Sequence, residues 1–576
     1  MSIPTEERRF LQDLESLIGE PIPEVPEMHS YIFGYTVRND RVNGISLFSC
    51  RLTEIPQRIN VLSNLEKFML RGNRLRVIPE AISFMSSLKI LDLSENNLLK
   101  LPKSILSCSS LKQLHLEGNL ISELPDYIKF LKSIEILDLS GNKLKTLPNN
   151  IASLKNLISL DLSNNQLESI PKSIGELESL EILYLGNNKL KTLPSEIGNL
   201  KNLKRLNLRD NQLSQITESI GGLISLTSLF LKSNQIITLP SSIGKLENLV
   251  YLGMASNRLS SLPDTIGSLK SLENLNLTSN NLTKIPESIK SLGSLIKLEL
   301  SNNKLQSLPD IDTMSNLRVL KLDRNNLRTL TYSIGDLSNL EILKLDRNEL
   351  DELPESIGKL KHLKEFDLYD NNLQTLPTSI GDLTSLQIID LSKNQLEDLP
   401  DSFSKLSSLT DLDVSTNKLT KLNSSIGNLH ELRNFIVGFN RLTAIPDSIG
   451  DLVNLETLDL GKNAISIVPD SIGRLKELKH LYLYYNEIDN LPETIGSLQS
   501  LTYLYLGNNK LKNLPDTIGK LRFLEYLFIR TNLLGSLPNS IAKLPALKYL
   551  NIEKNEFKEF PLVLQELEEK GVKVFK

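Results

Sequence analysis

The chain has 576 residues, a formal net charge of -4, two cysteines, five histidines and no tryptophan. A chain of this length would ordinarily form roughly three or four globular domains, but its 25 prolines are spread along it and do not mark linkers. The balanced charge without a basic block excludes an electrostatic surface for nucleic acid. No run of about 18 to 20 apolar residues predicts a membrane span.

The ends of the chain and its cysteines bear on its location. The opening residues MSIPTEERRFLQ contain no apolar segment typical of a secretory signal. Cys50 and Cys108 are too few for a disulfide framework, which favours a reducing compartment, and we expect a cytoplasmic protein. Five scattered histidines and no CxxC motif indicate neither a metal site nor a cofactor.

The first predicted element is an amphipathic helix in TEERRFLQDLESLIG, with Thr5 as its N-cap. Two strands around an Asn39–Asp40 turn follow in YIFGYTVRNDRVNGISLF. We interpret residues 1–41 as a cap that covers the first repeat. The alternative is a free helix that binds a partner. The apolar face of the helix is formed by Phe10, Leu11, Leu14, Leu17 and Ile18.

Residues 42–557 repeat one frame, LxxLxLxxNxLxxLPxxIxxL, about every 23 residues. Its Asn recurs 22 times from Asn73 to Asn555, with Cys50 in the same place in the first repeat, which gives 23 repeats. One repeat is a residue shorter, between Asn303 and Asn325. Pro occupies the LP position in 20 repeats. The exceptions in frame are Thr217, Thr331 and Asn423.

This frame resembles the leucine-rich repeat family along almost the whole chain, and its 23-residue LPxxIGxL form is similar to intracellular Ras-group and prokaryotic repeats. The resemblance implies an α/β solenoid, of horseshoe or superhelical form. A long parallel sheet would line the concave face, and short helical, 3-10 or extended segments the convex face. The frame Asn donates and accepts, so we expect a ladder of buried amides along the turns. Its members include Asn142, Asn165, Asn188 and Asn280.

The closing segment PLVLQELEEKGVKVFK, within residues 558–576, predicts a last helix that stops at Gly571 and a final strand. We interpret it as the second cap that a repeat array needs.

The variable positions of LxxLxLxxN face the concave side, so function is sought there. Ten of the 14 tyrosines occupy these positions, and seven of the ten fall in the last four repeats. An exposed aromatic strip is typical of an interface; the alternative is a ladder that merely covers the sheet. The predicted partner-binding residues of the strip are Tyr482, Tyr484, Tyr485, Tyr503, Tyr505, Tyr526, Phe528 and Tyr549.

Charge on the same face is banded. Acidic residues of the common LDLS strand dominate the early repeats and recur after the middle repeats. Such a row of carboxylates does not enclose a metal ion. A basic band in the middle breaks that pattern and is the candidate surface for an acidic partner: Lys321, Arg324, Lys344 and Arg347, with Lys297 and Arg318 beside them. A weaker patch mixes aromatic and guanidinium groups: Tyr184, Arg205, Arg209, Phe230 and Tyr251.

The sequence therefore predicts a non-enzymatic, monomeric scaffold that binds a protein partner in its concave face. The Ras-group resemblance implies a small GTPase or a signalling enzyme as the partner. Two alternatives are a secreted or surface adhesin or effector, and the substrate-recognition subunit of an enzyme complex. No nucleotide-binding, zinc-protease or serine-hydrolase motif is present in the sequence.

Overall fold

A computed structural model describes residues 3–29, 31–559 and 561–576. The chain divides into two compact units, Met1–Leu282 and Thr283–Lys576. Both consist of stacked repeats, each contributing a three-residue strand and, in most repeats, one turn of 3-10 helix. Among the described residues, no helix has the length and apolar character needed to cross a membrane.

The first unit begins with one α-helix and a β-hairpin, and ten repeat strands follow. The helix α1 spans Thr5–Ile18. The strands are β1 Gly34–Arg38, β2 Arg41–Ser46, β3 Lys67–Met69, β4 Ile90–Asp92, β5 Gln113–His115, β6 Ile136–Asp138, β7 Ser159–Asp161, β8 Ile182–Tyr184, β9 Arg205–Asn207, β10 Ser228–Phe230, β11 Tyr251–Gly253 and β12 Asn274–Asn276. The 3-10 turns are Gln57–Val61, Glu80–Phe84, Lys103–Ser107, Asp126–Phe130, Asn149–Ser153, Lys172–Glu176, Ser195–Asn199, Glu218–Gly222, Ser241–Lys245 and Asp264–Ser268.

The second unit continues with repeat strands and closes with one α-helix and a last strand. The strands are β13 Lys297–Glu299, β14 Val319–Lys321, β15 Ile342–Lys344, β16 Glu365–Asp367, β17 Ile388–Asp390, β18 Asp411–Asp413, β19 Asn434–Ile436, β20 Thr457–Asp459, β21 His480–Tyr482, β22 Tyr503–Tyr505, β23 Tyr526–Phe528, β24 Tyr549–Asn551 and β25 Lys573–Phe575, and the helix α2 is Val563–Glu569. The 3-10 turns are Glu287–Ser291, Tyr332–Asp336, Glu355–Lys359, Thr378–Asp382, Asp401–Lys405, Ser424–Asn428, Asp447–Asp451, Asp470–Arg474, Glu493–Ser497, Asp516–Lys520 and Asn539–Lys543.

Within each unit the repeat strands pair in parallel with the same register. The central residue of each repeat strand, leucine in most repeats, faces the core: Leu229 pairs with Leu206 and Leu252 in the first unit, and all three are fully buried. In the second unit the shorter repeat keeps this register, because Leu298 still pairs with Leu320. The missing residue is absorbed on the opposite side, where β13 and β14 are joined without a 3-10 turn. The sheet register therefore tolerates a shortened loop.

The expected asparagine ladder is confirmed. The Oδ1 atom of Asn165 accepts from the N–H of Leu144 at 2.9 Å. Its Nδ2 atom donates to the carbonyl oxygens of Leu139 at 2.9 Å and Leu162 at 3.1 Å. Each amide thus satisfies backbone groups of its own repeat and of the preceding one. The same pattern holds at Asn142, Asn188 and Asn280.

The residue before each ladder asparagine adopts a left-handed backbone. Glycine fills this place in three repeats, and other residues fill it elsewhere, such as Asn164 with φ 55° and Asp210 with φ 54°. Each chain turns out of the sheet at this point. Side chains other than Gly, Asn and Asp are disfavoured there.

The 3-10 turns explain the proline position and two of its exceptions. Proline precedes most turns and needs no hydrogen bond there. Where it is replaced, the Thr217 Oγ1 atom accepts from the N–H of Ser219 at 3.4 Å. Asn423 likewise accepts from the N–H of Ser425 at 3.1 Å. A polar N-cap therefore substitutes for proline in these two repeats.

The N-terminal segment packs against the start of the repeats. Phe10 and Leu14 are buried, and the buried Glu7 carboxylate accepts from the N–H of Val42 at 2.9 Å and pairs with Arg41 at 2.6 Å. Two details differ from the prediction. Pro4 occupies the N-cap and no side chain caps the helix, so Thr5 is its first residue. Leu17 is 47% exposed.

The C-terminal cap also has the predicted form. Leu564 and Leu567 of α2 are buried, Gly571 takes a left-handed φ of 84° after the helix, and β25 pairs in parallel with β24. This cap lies directly beside the repeats that carry most of the tyrosines.

Candidate functional site

Two columns of rings cover the outward face of β21 to β24. The residues on either side of the central leucine point away from the core, since side chains alternate along a strand. Identical register then places the corresponding residues of neighbouring repeats side by side. We call these two columns the aromatic ladder. The first column is His480, Tyr503, Tyr526 and Tyr549, and the second is Tyr482, Tyr505 and Phe528.

The rings of the ladder stack face to face. The centroids of Tyr503 and Tyr526 lie 4.4 Å apart with planes 3° from parallel. Those of Tyr505 and Phe528 lie 4.5 Å apart with planes at 10°. Because the ring faces cover one another, the ladder presents ring edges and phenol hydroxyls to a partner. The tyrosine rings of the ladder are apolar and end in polar hydroxyls, a combination favoured at interfaces.

Burial shifts the pKa of three ladder groups. It raises the pKa of Tyr482 above the ordinary tyrosine value, and Asp459 and Tyr503 add to this effect. Burial also raises the pKa of Tyr505, with Tyr482 and Tyr503 adding to it. Burial, helped by Lys479, lowers the pKa of His480 below the ordinary value. These shifts favour the protonated phenol at Tyr482 and Tyr505 and the uncharged imidazole at His480.

A rim of two aromatic residues and a lysine borders the ladder. The Lys462 ammonium lies 4.3 Å from the ring centroid of Phe439 and 5.4 Å from that of Tyr485. Phe439 and Tyr485 adopt φ of 57° and 52°, the left-handed conformation that bulky residues rarely take. Both are also nearly half exposed, at 45% and 48%. The rim thus exposes two large aromatic side chains at backbone positions that disfavour them.

Between the rim and the second column lies a hollow of about 550 Å³. The ring of Tyr484 lies over Gly461, where an added Cβ would come within 2.3 Å of it. The Arg530 side chain lies over Gly507 in the same manner. The hollow therefore lies above Gly507 beside the Arg530 side chain, and aromatic side chains form much of its wall. Its lining is Asp459, Tyr482, Tyr484, Tyr485, Tyr505, Gly507, Asn508, Phe528, Arg530 and Asn551.

The structure shows that the predicted basic band is interleaved with carboxylates. Lys321 and Lys297 both lie 3.0 Å from the Glu299 carboxylate. Lys344 pairs with Glu365 and lies 3.5 Å from Asp367. Two of the four predicted band residues, Lys321 and Lys344, thus have their charge compensated by carboxylates of neighbouring strands.

Two arginines of the band remain exposed. Arg324 and Arg347 occupy neighbouring left-handed positions. The Arg347 guanidinium lies 5.5 Å from the ring centroid of Tyr369. They form a smaller basic surface than the sequence predicts.

Carboxylates crowd the strands next to this band. Burial, together with Asp367 and Asp323, raises the pKa of Asp346 to about 6. Burial also raises the pKa of Asp367 and Asp390. Among the described ranges of the chain, no group of His, Cys, Asp and Glu could hold a metal ion.

The two thiols are poor nucleophiles. Cys108 is buried, and burial raises its pKa to about 11. Burial likewise raises the pKa of Cys50 to about 11. Both therefore carry their proton at neutral pH.

The mixed patch of the first unit is more modest than the aromatic ladder. The rings of Phe230 and Tyr251 lie 4.8 Å apart. Arg209 pairs with Asp210, with 3.7 Å between Nε and Oδ2. The predicted cluster thus contains one ring pair and a compensated arginine.

Stacked repeats with buried amide ladders and outward-facing strand residues define a repeat protein built for recognition. The chain belongs to the leucine-rich repeat family. The family profile "Leucine-rich repeat region" matches residues 95–206, 195–301, 355–439, 420–506 and 493–569. A second profile, "Leucine rich repeat", matches residues 41–98 and 63–121.

Solved structures with the same fold come from plants and bacteria. The plant peptide hormone receptor RGFR1, in complex with RGF2, is 29% identical, with a TM-score of 0.75 over 92% of this chain and 89% of that one. The Arabidopsis receptor kinase HAESA, in complex with the peptide hormone IDA and the co-receptor SERK1, is 26% identical, with a TM-score of 0.64 over 96% and 92%. The Leptospira interrogans LRR protein LIC12759 is 32% identical, with a TM-score of 0.50 over 76% and 95%. No curated protein matches the chain at a significant level.

Proposed function

We propose that this chain is a non-catalytic scaffold that binds an extended segment of a protein partner along the aromatic ladder. The observation that carries the proposal is the concentration of stacked rings beside Phe439 and Tyr485. A ladder that only covered the sheet would not need bulky residues in left-handed backbone at its margin. Interfaces are enriched in tyrosine and depleted of paired charge at their centre.

The dimensions of the ladder favour a short extended segment. Four neighbouring strands span about 14 Å, because parallel strands lie about 4.8 Å apart. An extended chain of four or five residues covers that distance at about 3.3 Å per residue. The solved complexes of RGFR1 with RGF2 and of HAESA with IDA support a peptide-like ligand, since both proteins share this fold.

The proposal extends to the absence of catalysis, the partner class and the location. The protonated thiols supply no nucleophile. The Ras-group resemblance makes a small GTPase or a signalling enzyme near one our partner class, and two free cysteines favour a cytoplasmic location. The second candidate is a surface recognition domain, which the likeness to the receptor kinase HAESA favours.

The test compares two matched ring pairs. Proteins that bind to the immobilised full chain are identified first, and each of them is produced in recombinant form as a prey protein. Each prey is then titrated against three proteins: wild type, Tyr505→Ala/Phe528→Ala and the control Phe230→Ala/Tyr251→Ala. The ring pairs have similar centroid distances, 4.5 Å and 4.8 Å. Circular dichroism verifies that both variants fold.

We expect the prey to lose at least about tenfold in affinity for the ladder variant, as interface hot spots do. The control variant should bind like wild type. Equal affinity for all three proteins would refute the ladder as the binding surface. Loss only in the control would move the site to the first unit.

A further inference from the structure

The hollow above Gly507 contains an arginine side chain without a partner. Arg530 is exposed. Its backbone carbonyl accepts from the N–H of Asn508, but within the described part of the chain its guanidinium makes no hydrogen bond or ion pair. A Cβ on Gly507 would lie 3.2 Å from the Arg530 Cγ atom and 4.0 Å from its Nε atom. The side chain therefore crosses the glycine and brings its guanidinium to the aromatic hollow.

In the first unit an arginine side chain also lies over a glycine, but there its charge is paired with a carboxylate. A Cβ on Gly186 would lie 3.1 Å from the Arg209 Cγ atom. There the next residue is Asp210, whose carboxylate pairs with Arg209 at 3.7 Å. The equivalent neighbour of Arg530 is Thr531, which has the same left-handed backbone, φ 53° against 54° for Asp210. The hollow thus lacks the carboxylate that its counterpart has.

Other nearby charges do not neutralise Arg530. The Glu553 carboxylate of the next repeat accepts from the Asn551 side chain at 3.1 Å. Asp459 lies three repeats away at the far end of the hollow and accepts from the N–H of Gly461 at 2.8 Å. The Lys462 ammonium lies between the rings of the rim. The hollow therefore has a basic end at Arg530 and an acidic end at Asp459.

We propose that Arg530 binds an aspartate or glutamate side chain of the partner's segment, next to an apolar side chain that contacts Tyr505 and Phe528. Guanidinium and carboxylate form two parallel charge-assisted hydrogen bonds, and Tyr505 and Phe528, which line the same hollow, provide the adjacent apolar contact. Asp459 disfavours an acidic residue at the opposite end, so the segment binds in one register. This inference rests on the proposed function and specifies the chemistry of its ligand.

The test uses a phage-displayed library of random 12-residue peptides selected on the full chain. Synthetic copies of the enriched peptides are then titrated against wild type, the ladder variant Tyr505→Ala/Phe528→Ala and three further variants. Arg530→Gln removes the charge and keeps a polar side chain of similar reach. Thr531→Asp installs the compensating carboxylate that Arg209 already has, at a backbone position where Asp210 shows that aspartate fits. Arg209→Gln is the control.

We expect enriched peptides to carry Asp or Glu within two residues of an aromatic or aliphatic residue. Their affinity should fall roughly tenfold with Arg530→Gln and also fall with Thr531→Asp, although Arg530 is still present. A peptide with its acidic residue changed to the amide should bind wild type and Arg530→Gln alike. Arg209→Gln should have no effect.

Two other results would overturn the inference. Peptides that need Tyr505 and Phe528 but show no acidic preference and ignore Arg530→Gln would refute it while leaving the proposed function intact. Enriched peptides that bind Tyr505→Ala/Phe528→Ala as well as wild type would refute both. Circular dichroism and thermal melting of each variant separate loss of binding from loss of fold.

Discussion

At the scale of single residues, the buried amides decide whether a repeat can stack. Each ladder asparagine donates to and accepts from backbone groups that water cannot reach, as Asn165 does with Leu139, Leu144 and Leu162. A buried backbone group without a partner costs about 1–3 kcal/mol. The sequence alone was sufficient to predict this role, because an amide is the side chain that both donates and accepts.

We expect Asn165→Ala to destabilise the first unit by about 1–3 kcal/mol, since it leaves the buried Leu144 N–H without its acceptor. The carbonyl oxygens of Leu139 and Leu162 still accept from Asn142 and Asn188. Asn165→Asp should cost at least as much, because it keeps the acceptor for the Leu144 N–H but buries a carboxylate oxygen against the Leu139 and Leu162 carbonyl oxygens. Chemical denaturation of both variants beside wild type measures the difference. A midpoint unchanged by Asn165→Ala would contradict this account of the ladder.

Left-handed residues are a second residue-scale feature, and here the sequence did not suffice. The frame shows a variable position before each asparagine, and only the structure shows that it has positive φ in Phe439 and Tyr485. A pattern of residue types does not reveal backbone strain when so many types occupy the place. The sequence placed Tyr485 in the predicted strip, but the backbone strain of Phe439 and Tyr485, which supports the proposed site, was missed.

At the scale of elements, close packing of the 3-10 turns explains the glycine of the IG motif. A Cβ on Gly381 would lie 2.0 Å from the carbonyl oxygen of Ser402 in the next turn. Backbone, unlike the end of a flexible side chain, cannot move aside locally. Glycine at this position thus sets how closely neighbouring turns approach.

We expect Gly381→Ala to destabilise the second unit by about 1–3 kcal/mol through this overlap. Gly293→Ala is a matched control, because a Cβ there meets nothing within 4 Å. It should be neutral or slightly stabilising. Thermal melting of the two variants tests the account, and equal melting temperatures would contradict it.

The acidic residues on the strands next to the basic band make the stability of the second unit depend on pH. The pKa of Asp346 is about 6 in the folded chain against 3.8 in the unfolded chain. Between these values the folded state binds a proton that the unfolded state does not. Folding therefore gains stability from this group as the pH falls from above 6 towards 4.

Asp346→Asn should accordingly raise the melting temperature at pH 7.5, where the wild-type carboxylate is charged and repelled by its neighbours. At pH 4.5 the difference should be much smaller, since the wild-type group is then mostly protonated. Melting curves at both pH values measure this double difference. A variant that is stabilised equally at both values would show that charge is not the cause.

The pairing of strand charges also marks a limit of the sequence. Lys321 and Lys344 stand out as basic when read along the chain, but their partners Glu299 and Glu365 lie about one repeat earlier or later. Whether such residues meet depends on side-chain direction across the sheet. The sequence predicted the face correctly but could not predict this compensation.

At the scale of the whole molecule, function and architecture depend on different residues. The frame residues specify a leucine-rich repeat array with a cap at each end, and all of this followed from the period and from the terminal patterns. The residues at the outward positions do not follow the repeat period. The sequence could therefore indicate a binding surface in the last repeats only through the concentration of aromatic residues there. Stacking of the rings, the hollow above Gly507 and the unpaired Arg530 depend on coordinates that no frame encodes.

Photo-crosslinking tests most directly the claim that the aromatic ladder is the binding surface. A benzophenone amino acid is placed at Tyr485, on the exposed rim, or at Tyr332, which is 63% exposed in the 3-10 turn Tyr332–Asp336. We expect the partner to crosslink at Tyr485 and not at Tyr332. Crosslinking at Tyr332 with none at Tyr485 would contradict the account.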